Sequence, residues 1–187
     1  LRDPTEGAAA AEPGILLLIN GPCGVGKTSL AWALLDLLHS TVLLDADNFG
    51  AVNPFDLGSG SQKDYLHRTL AHCIRFHAEH GYRNFVVPGV FAGAADYAGL
   101  IGRLAPLAFR TFRFRLDAAP EQLEARIRSR DGVDRDWELV RFASLQEKFR
   151  REWRDPEEIV VDTSSRPPSE VAYMIMKRLF QAKLTEG

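Results

Sequence analysis

Cysteine is scarce. Cys23 and Cys73 are the two thiols in 187 residues, too few for a disulfide framework and without the paired spacing of a metal site. That scarcity predicts a reducing, cytoplasmic setting. No run of 18 apolar residues occurs, so a conventional membrane-spanning helix is not expected, and residues 1–13 lack the apolar segment of a signal peptide. An excess of charge is missing too. Lys and Arg number 23 against 25 Asp and Glu, a net charge of −2, so no overall field favours a polyanion. Neither nucleic acid nor a membrane is therefore an expected partner. There is no internal repeat and no linker. The length suits one domain with a sizeable core, as a monomer or a homodimer.

What the chain does contain is concentrated at Gly14–Thr28. An apolar run, Ile15-Leu16-Leu17-Leu18-Ile19, leads into Gly21-Pro22-Cys23-Gly24-Val25-Gly26-Lys27-Thr28. Gly21, Gly26, Lys27 and Thr28 satisfy G-x-x-x-x-G-K-[ST], with a buried strand predicted before the loop and an amphipathic helix after it. Glycines let successive N–H groups turn inward toward phosphate oxygens, and the positive end of the following helix reinforces that field. The backbone of Gly21, Cys23, Gly24, Val25, Gly26, Lys27, Thr28 and Ser29 is thus the expected nucleotide contact. Lys27 is placed to reach the β- and γ-phosphates, and the Thr28 hydroxyl to ligate magnesium. A glycine-rich turn followed by a chance Lys-Thr is the competing reading.

The rest of the chain alternates strand and helix signals. Residues 1–13, rich in Ala, Glu, Gly and Pro, are expected to be a flexible lead-in, and residues 14–187 a single domain. Leu30, Ala31, Leu34, Leu35, Leu37 and Leu38 recur at helical spacing. Thr41–Leu44 reads as a strand that delivers Asp45 and Asp47 at its carboxyl end. Residues 49–62 read as a loop over the site mouth, and 61–79 as a helix with Asp64, Arg68, His72 and Arg75 along one face. Strands are expected over 84–91, 109–116 and 158–162, the second alternating apolar residues with Arg110, Arg113 and Arg115. Helices are expected over 94–104, from Pro120, over 137–153 and over 169–184. The pattern predicts an α/β fold in three layers, a five-stranded, mostly parallel sheet with helices on both faces.

At these residues the chain resembles the small-molecule and nucleotide kinase branch of the P-loop NTPase fold. Leu44-Asp45-Ala46-Asp47-Asn48 is similar to the D-x-D element of shikimate, gluconate and adenylosulfate kinases, and chloramphenicol phosphotransferase also places an Asp just after this strand. Arg126-Ile127-x-x-Arg130 resembles the pattern in nucleotide-monophosphate kinases whose first Arg packs on adenine and whose second reaches phosphates from the lid. The resemblance implies ATP and Mg²⁺ as cofactors. It implies Asp47 as the group that takes or holds the acceptor's hydroxyl proton, Asp45 as a magnesium ligand with Thr28, and Lys27 and Arg130 at the transferring phosphoryl group. Arg126 and the segment at Thr163 and Ser164 would flank the base, a short lid would span about 128–136, and the acceptor would bind within about 48–80. Two carboxylates two residues apart on an extended segment would point the same way. Val86-Val87-Pro88-Gly89 carries no acid where many P-loop enzymes have one, which argues against motor-type and GTPase-type proteins.

The function these residues predict is ATP-dependent transfer of the γ-phosphoryl group to a hydroxyl of a small molecule. A nucleotide kinase is one alternative, and an ATP-binding regulatory module is another.

Overall fold

The computed structural model describes residues 12–49, 52, 60–129, 135–153 and 155–184. Its centre is β1, Ile15–Asn20, all of whose residues are buried. Side chains alternate across a strand, so Leu16 and Leu18 enter one apolar layer while Ile15, Leu17 and Ile19 enter the other. The unbroken apolar run is what a parallel strand covered on both faces requires.

Four further strands complete the sheet: β2 (Thr41–Leu43), β3 (Asn84–Pro88), β4 (Arg110–Asp117) and β5 (Glu158–Asp162). The order is β2-β3-β1-β4-β5, and every pairing is parallel. The helices are α1 (Lys27–Leu37), α2 (Ala46–Phe49), α3 (Gly60–Glu79), α4 (Ala94–Leu104), α5 (Pro120–Arg128), α6 (Arg135–Arg151) and α7 (Pro168–Leu184). One apolar layer takes Leu30 and Leu34 of α1, Leu123 and Ile127 of α5, Phe142 of α6 and Ile175 of α7. The other takes Leu70 and Ile74 of α3 with Tyr97 and Leu100 of α4. The predicted three-layer α/β fold is therefore the observed one.

This topology sets where a ligand can sit. The connection leaving β1 runs to β2 on one side of the sheet, and the connection leaving β4 runs to β5 on the other. A crevice opens where neighbouring strands send their chains in opposite directions, at the carboxyl ends of β1 and β4.

Several boundaries shift by one or two residues, and two differences bear on the site. The third strand ends at Pro88 rather than residue 91, because after the Gly89 N–H donates to the Ile19 carbonyl the backbone leaves the sheet. The region read as a loop from 49 to 62 begins in α2 and ends inside α3, while residues 50–51 and 53–59, with Phe55, lie outside the described residues. So do Arg130, most of the expected lid, and the lead-in up to residue 11.

Candidate functional site

The loop after β1 is shaped by backbone demands that side chains would break. Gly21 has φ 140°, and a Cβ there would lie 2.6 Å from the Leu116 carbonyl oxygen. Gly26, at the head of α1, has φ 97°, and a Cβ there would meet nothing within 4 Å. The first position is glycine for close packing, the second for its left-handed conformation beside open space. Among the described residues no side chain caps α1, which leaves the N–H groups of its first turn available to an anion. Lys27 lies across the loop, its Nζ donating to the Gly21 carbonyl at 2.9 Å and the Pro22 carbonyl at 3.2 Å. Cys23 is half-buried, outside any disulfide, and packed against the core.

The carboxylate pair arrives from β2 by a different route from the one expected. Leu44 continues the sheet pairing through its N–H to the Val86 carbonyl, and Ala46 is buried at van der Waals range of Gly89, where a Cβ would approach to 2.8 Å. The chain turns helical at Ala46, so Asp45 and Asp47 are not on an extended segment and do not share a direction by strand alternation. Instead Asp45 Oδ1 accepts from the Asp47 N–H at 3.1 Å, which starts α2, while Asp45 Oδ2 accepts from the Thr28 hydroxyl at 3.0 Å. Asp47 is exposed, and its carboxylate accepts no hydrogen bond from the described residues.

Beside the loop lies a cleft of about 380 Å³, lined by Gly24, Val25, Gly26 and Ser29 on one side and Arg126, Thr163, Arg166 and Pro167 on the other. Arg126 holds the far wall, donating to the carbonyls of Thr163 at 2.8 Å and Ser164 at 3.2 Å. Thr163 is buried with its hydroxyl 3.2 Å from the Val25 carbonyl and 3.1 Å from that of Asp117. The Ser164 side chain and N–H hold the Asp162 carboxyl below its ordinary range, with Arg166 and Arg126 adding to the effect. Arg128 is instead occupied on the surface with Glu124 at 2.7 Å. A larger groove, of about 760 Å³, lies at the opposite edge of the sheet around His39, Ser40, Gly81 and Tyr82, away from every predicted site residue.

The sequence reading missed a second polar centre on the other face of β1. Asn20 is wholly buried and fully bonded. Its Oδ1 accepts from the N–H groups of Gly21 and Phe91, both at 2.9 Å, and its Nδ2 donates to the Phe91 carbonyl at 3.0 Å and to Glu158 Oε1 at 2.8 Å. The Tyr97 hydroxyl donates to the same Glu158 oxygen at 2.6 Å. Burial, and then the carboxylate of Glu158, raise the Tyr97 hydroxyl far above its ordinary pKa. The signal in the sequence was faint: a polar residue ending an apolar strand, and an acid opening the last one.

Arg68, His72 and Arg75, on one face of α3, do not converge on a common site. Arg68 lies 3.9 Å from Asp64, Arg75 donates to the Arg103 carbonyl at 3.2 Å, and all three are exposed. Between α3 and α4 the buried contact is His67 with Asp96, at 3.0 Å. Burial alone would raise the Asp96 pKa, but hydrogen bonds from His67 and the Ala92 N–H, with the charge of Lys63, bring it below its ordinary 3.8.

No protein-family model matches the chain, and no curated protein does. Solved structures match along most of its length. The APS kinase of Mycobacterium tuberculosis, in complex with AMPPNP and APS, is 20% identical at a TM-score of 0.64, over 89% of this chain and 98% of its own. A gluconokinase from Sinorhizobium meliloti is 15% identical at 0.66, over 94% and 98%. The tunicamycin resistance protein of Deinococcus radiodurans is 22% identical at 0.59, over 89% and 95%. At these identities the likeness is one of architecture. The chain has the P-loop kinase fold.

Proposed function

We propose that the chain is an ATP-dependent phosphotransferase that moves the γ-phosphoryl group of ATP to a hydroxyl of a small molecule. The observation that carries this reading is the 3.0 Å contact between Thr28 and Asp45, which joins the phosphate loop to the carboxylates after β2. Fold neighbours that are gluconokinase and APS kinase support it at the level of reaction class.

The residues fit the cofactors. Two oxygens 3.0 Å apart have the separation of adjacent ligands in an octahedron of about 2.1 Å radius, as magnesium prefers. Thr28 and Asp45 would hold the ion alongside water and phosphate oxygens, where it neutralises charge on the phosphates. Among the described residues no three His, Cys, Asp or Glu cluster as a metal cage, and magnesium held mainly by phosphates needs none. The cleft between Gly24–Ser29 and Arg126–Pro167 would receive the base, with the planar Arg126 guanidinium against it.

The chain's own contribution is positioning and charge. The N–H groups at the head of α1 and the Lys27 ammonium stabilise negative charge on the transferring group. Asp47, exposed beside Asp45 with a carboxylate that accepts no hydrogen bond from the described residues, orients the acceptor hydroxyl and takes its proton. The hydroxyl oxygen forms a bond to the γ-phosphorus as the bond from that phosphorus to the bridging oxygen breaks, and ADP leaves. Arg130 is proposed to meet the same phosphoryl group.

The test is a screen with γ-labelled ATP and pooled metabolites. Label in an acceptor supports the proposal, and label confined to nucleoside diphosphates or triphosphates identifies a nucleotide kinase. Acceptor-independent hydrolysis, or binding alone, supports the regulatory module instead.

A further inference from the structure

Arg115 differs from Arg103, Arg113 and Arg126. Arg113 is bound by Asp155 and Glu157, Arg126 by the Thr163 and Ser164 carbonyls, and Arg103 by Asp64. Among the described residues Arg115 has a single ion pair, with its Nε 3.8 Å from Glu158 Oε2, which is beyond hydrogen-bond range. That Nε is buried and has no acceptor. Glu158 is already engaged, since its Oε1 takes both Asn20 and Tyr97. A guanidinium presents five donors in a rigid fork, and buried donors without acceptors are costly. The oxyanions that satisfy such a fork are carboxylate, phosphate and sulfate.

Its location gives this incompletely paired guanidinium a purpose. Arg115 pairs in register with Asn20, the residue before Gly21, so it stands at the crevice between β1 and β4. Its neighbour Leu116 points to the other face, where it lines the cleft proposed for the base. Arg115 therefore lies on the face of Phe91 and Tyr97, away from that cleft. The face is open there, because its register partner Val160 is 52% exposed and the Arg115 side chain itself 20%.

We infer that Arg115 is a specificity residue that binds an oxyanion on the acceptor, so that the substrate is a hydroxyl compound bearing a carboxylate, phosphate or sulfate and not a neutral polyol. The inference rests on the phosphotransferase reading for the word acceptor, but the anion site itself does not.

Two measurements keep these apart. In the first, protein saturated with Mg²⁺ and AMPPNP is titrated with inorganic sulfate by calorimetry. One sulfate per chain is expected, bound at least tenfold more weakly by R115Q and less severely weakened in R115K, which keeps the charge beside Glu158. The R115Q/E158Q double variant removes both charges and controls for an acid left unpaired; it too should lose the sulfate while melting as the wild type does. No sulfate bound by the wild type, or wild-type affinity in the double variant, overturns the inference. In the second, transfer from ATP is measured to hydroxycarboxylic acids, hydroxyl-bearing phosphate and sulfate esters, and neutral polyols. Transfer confined to the anionic compounds, with KM raised at least tenfold in R115Q and kcat within twofold, supports it and shows which oxyanion is read. Equal transfer to neutral polyols overturns it. Transfer to nothing, with Arg115-dependent sulfate binding intact, overturns the phosphotransferase reading and leaves the anion site standing.

Discussion

Two polar constellations flank the carboxyl end of β1, and they are built in opposite ways. On the side of α1 one continuous segment, Gly21 to Ser29, supplies a loop, a helix start, a lysine and a hydroxyl, and distant residues such as Arg126 and Thr163 only wall the cleft. On the side of α4, Asn20, Phe91, Tyr97, Arg115 and Glu158 come from β1, the turn after β3, α4, β4 and β5, and meet only in the folded chain. The first can be formed locally, from backbone geometry within one segment. The second satisfies the buried polar groups of Asn20 and the Tyr97 hydroxyl, and it ties the first residue of the loop to the far strand.

If the two sides divide the work, variants should separate by the property they damage. The largest effect belongs to the loop. Lys27→Met should reduce turnover by roughly 10²–10³-fold, the scale for removing one preorganised donor at a developing charge, and weaken nucleotide binding in a fluorescent-ATP titration. Near-normal turnover would remove the loop from the chemistry. Asp47→Asn comes next. A loss of about 10²-fold in transfer is expected, with nucleotide affinity changed by less than about twofold, and a parallel loss of binding would make Asp47 a structural residue instead.

Asn20→Leu attacks the other side. It strips partners from the N–H groups of Gly21 and Phe91 and from Glu158, so urea unfolding should show roughly 3 kcal/mol less stability, the scale of a few buried groups left unsatisfied. Stability within error of the wild type would mean that the network relaxes freely and the contrast between the sides is overstated.

Asp96→Asn should have the smallest effect at neutral pH, and it tests acid sensitivity. The folded Asp96 pKa lies below its ordinary 3.8, so this group stabilises the fold above that value and the contribution fades as pH falls through the folded pKa. Melting temperatures followed downward from pH 5 should therefore decline less steeply in the variant than in the wild type. Parallel declines would show that the His67–Asp96 contact does not contribute.

The legibility of the sequence follows the same division. The strand, loop and helix at Gly14–Thr28 were readable because the spacing of glycines, Lys27 and Thr28 is dictated by backbone geometry within one segment. The alternation of apolar runs with helical periodicity foretold a three-layer sheet for the same local reason. The carboxylates after β2 were recognisable as residues but not in their geometry. Nothing near Asp45 in the sequence announces that Ala46 will be buried at Gly89 and turn the chain into α2. Arg115 was visible only as part of an alternating strand.

By itself, then, the sequence determined the elements, their alternation and the phosphate loop, since each depends on neighbours within a few residues. Tertiary structure alone decided that Thr28 meets Asp45, that Arg126 turns to the Thr163 carbonyl, and that Arg115 stands in register with Asn20 with its buried Nε lacking an acceptor among the described residues. Those contacts depend on strand order and register, which place residues distant in the chain at the same sheet edge and which no local pattern encodes.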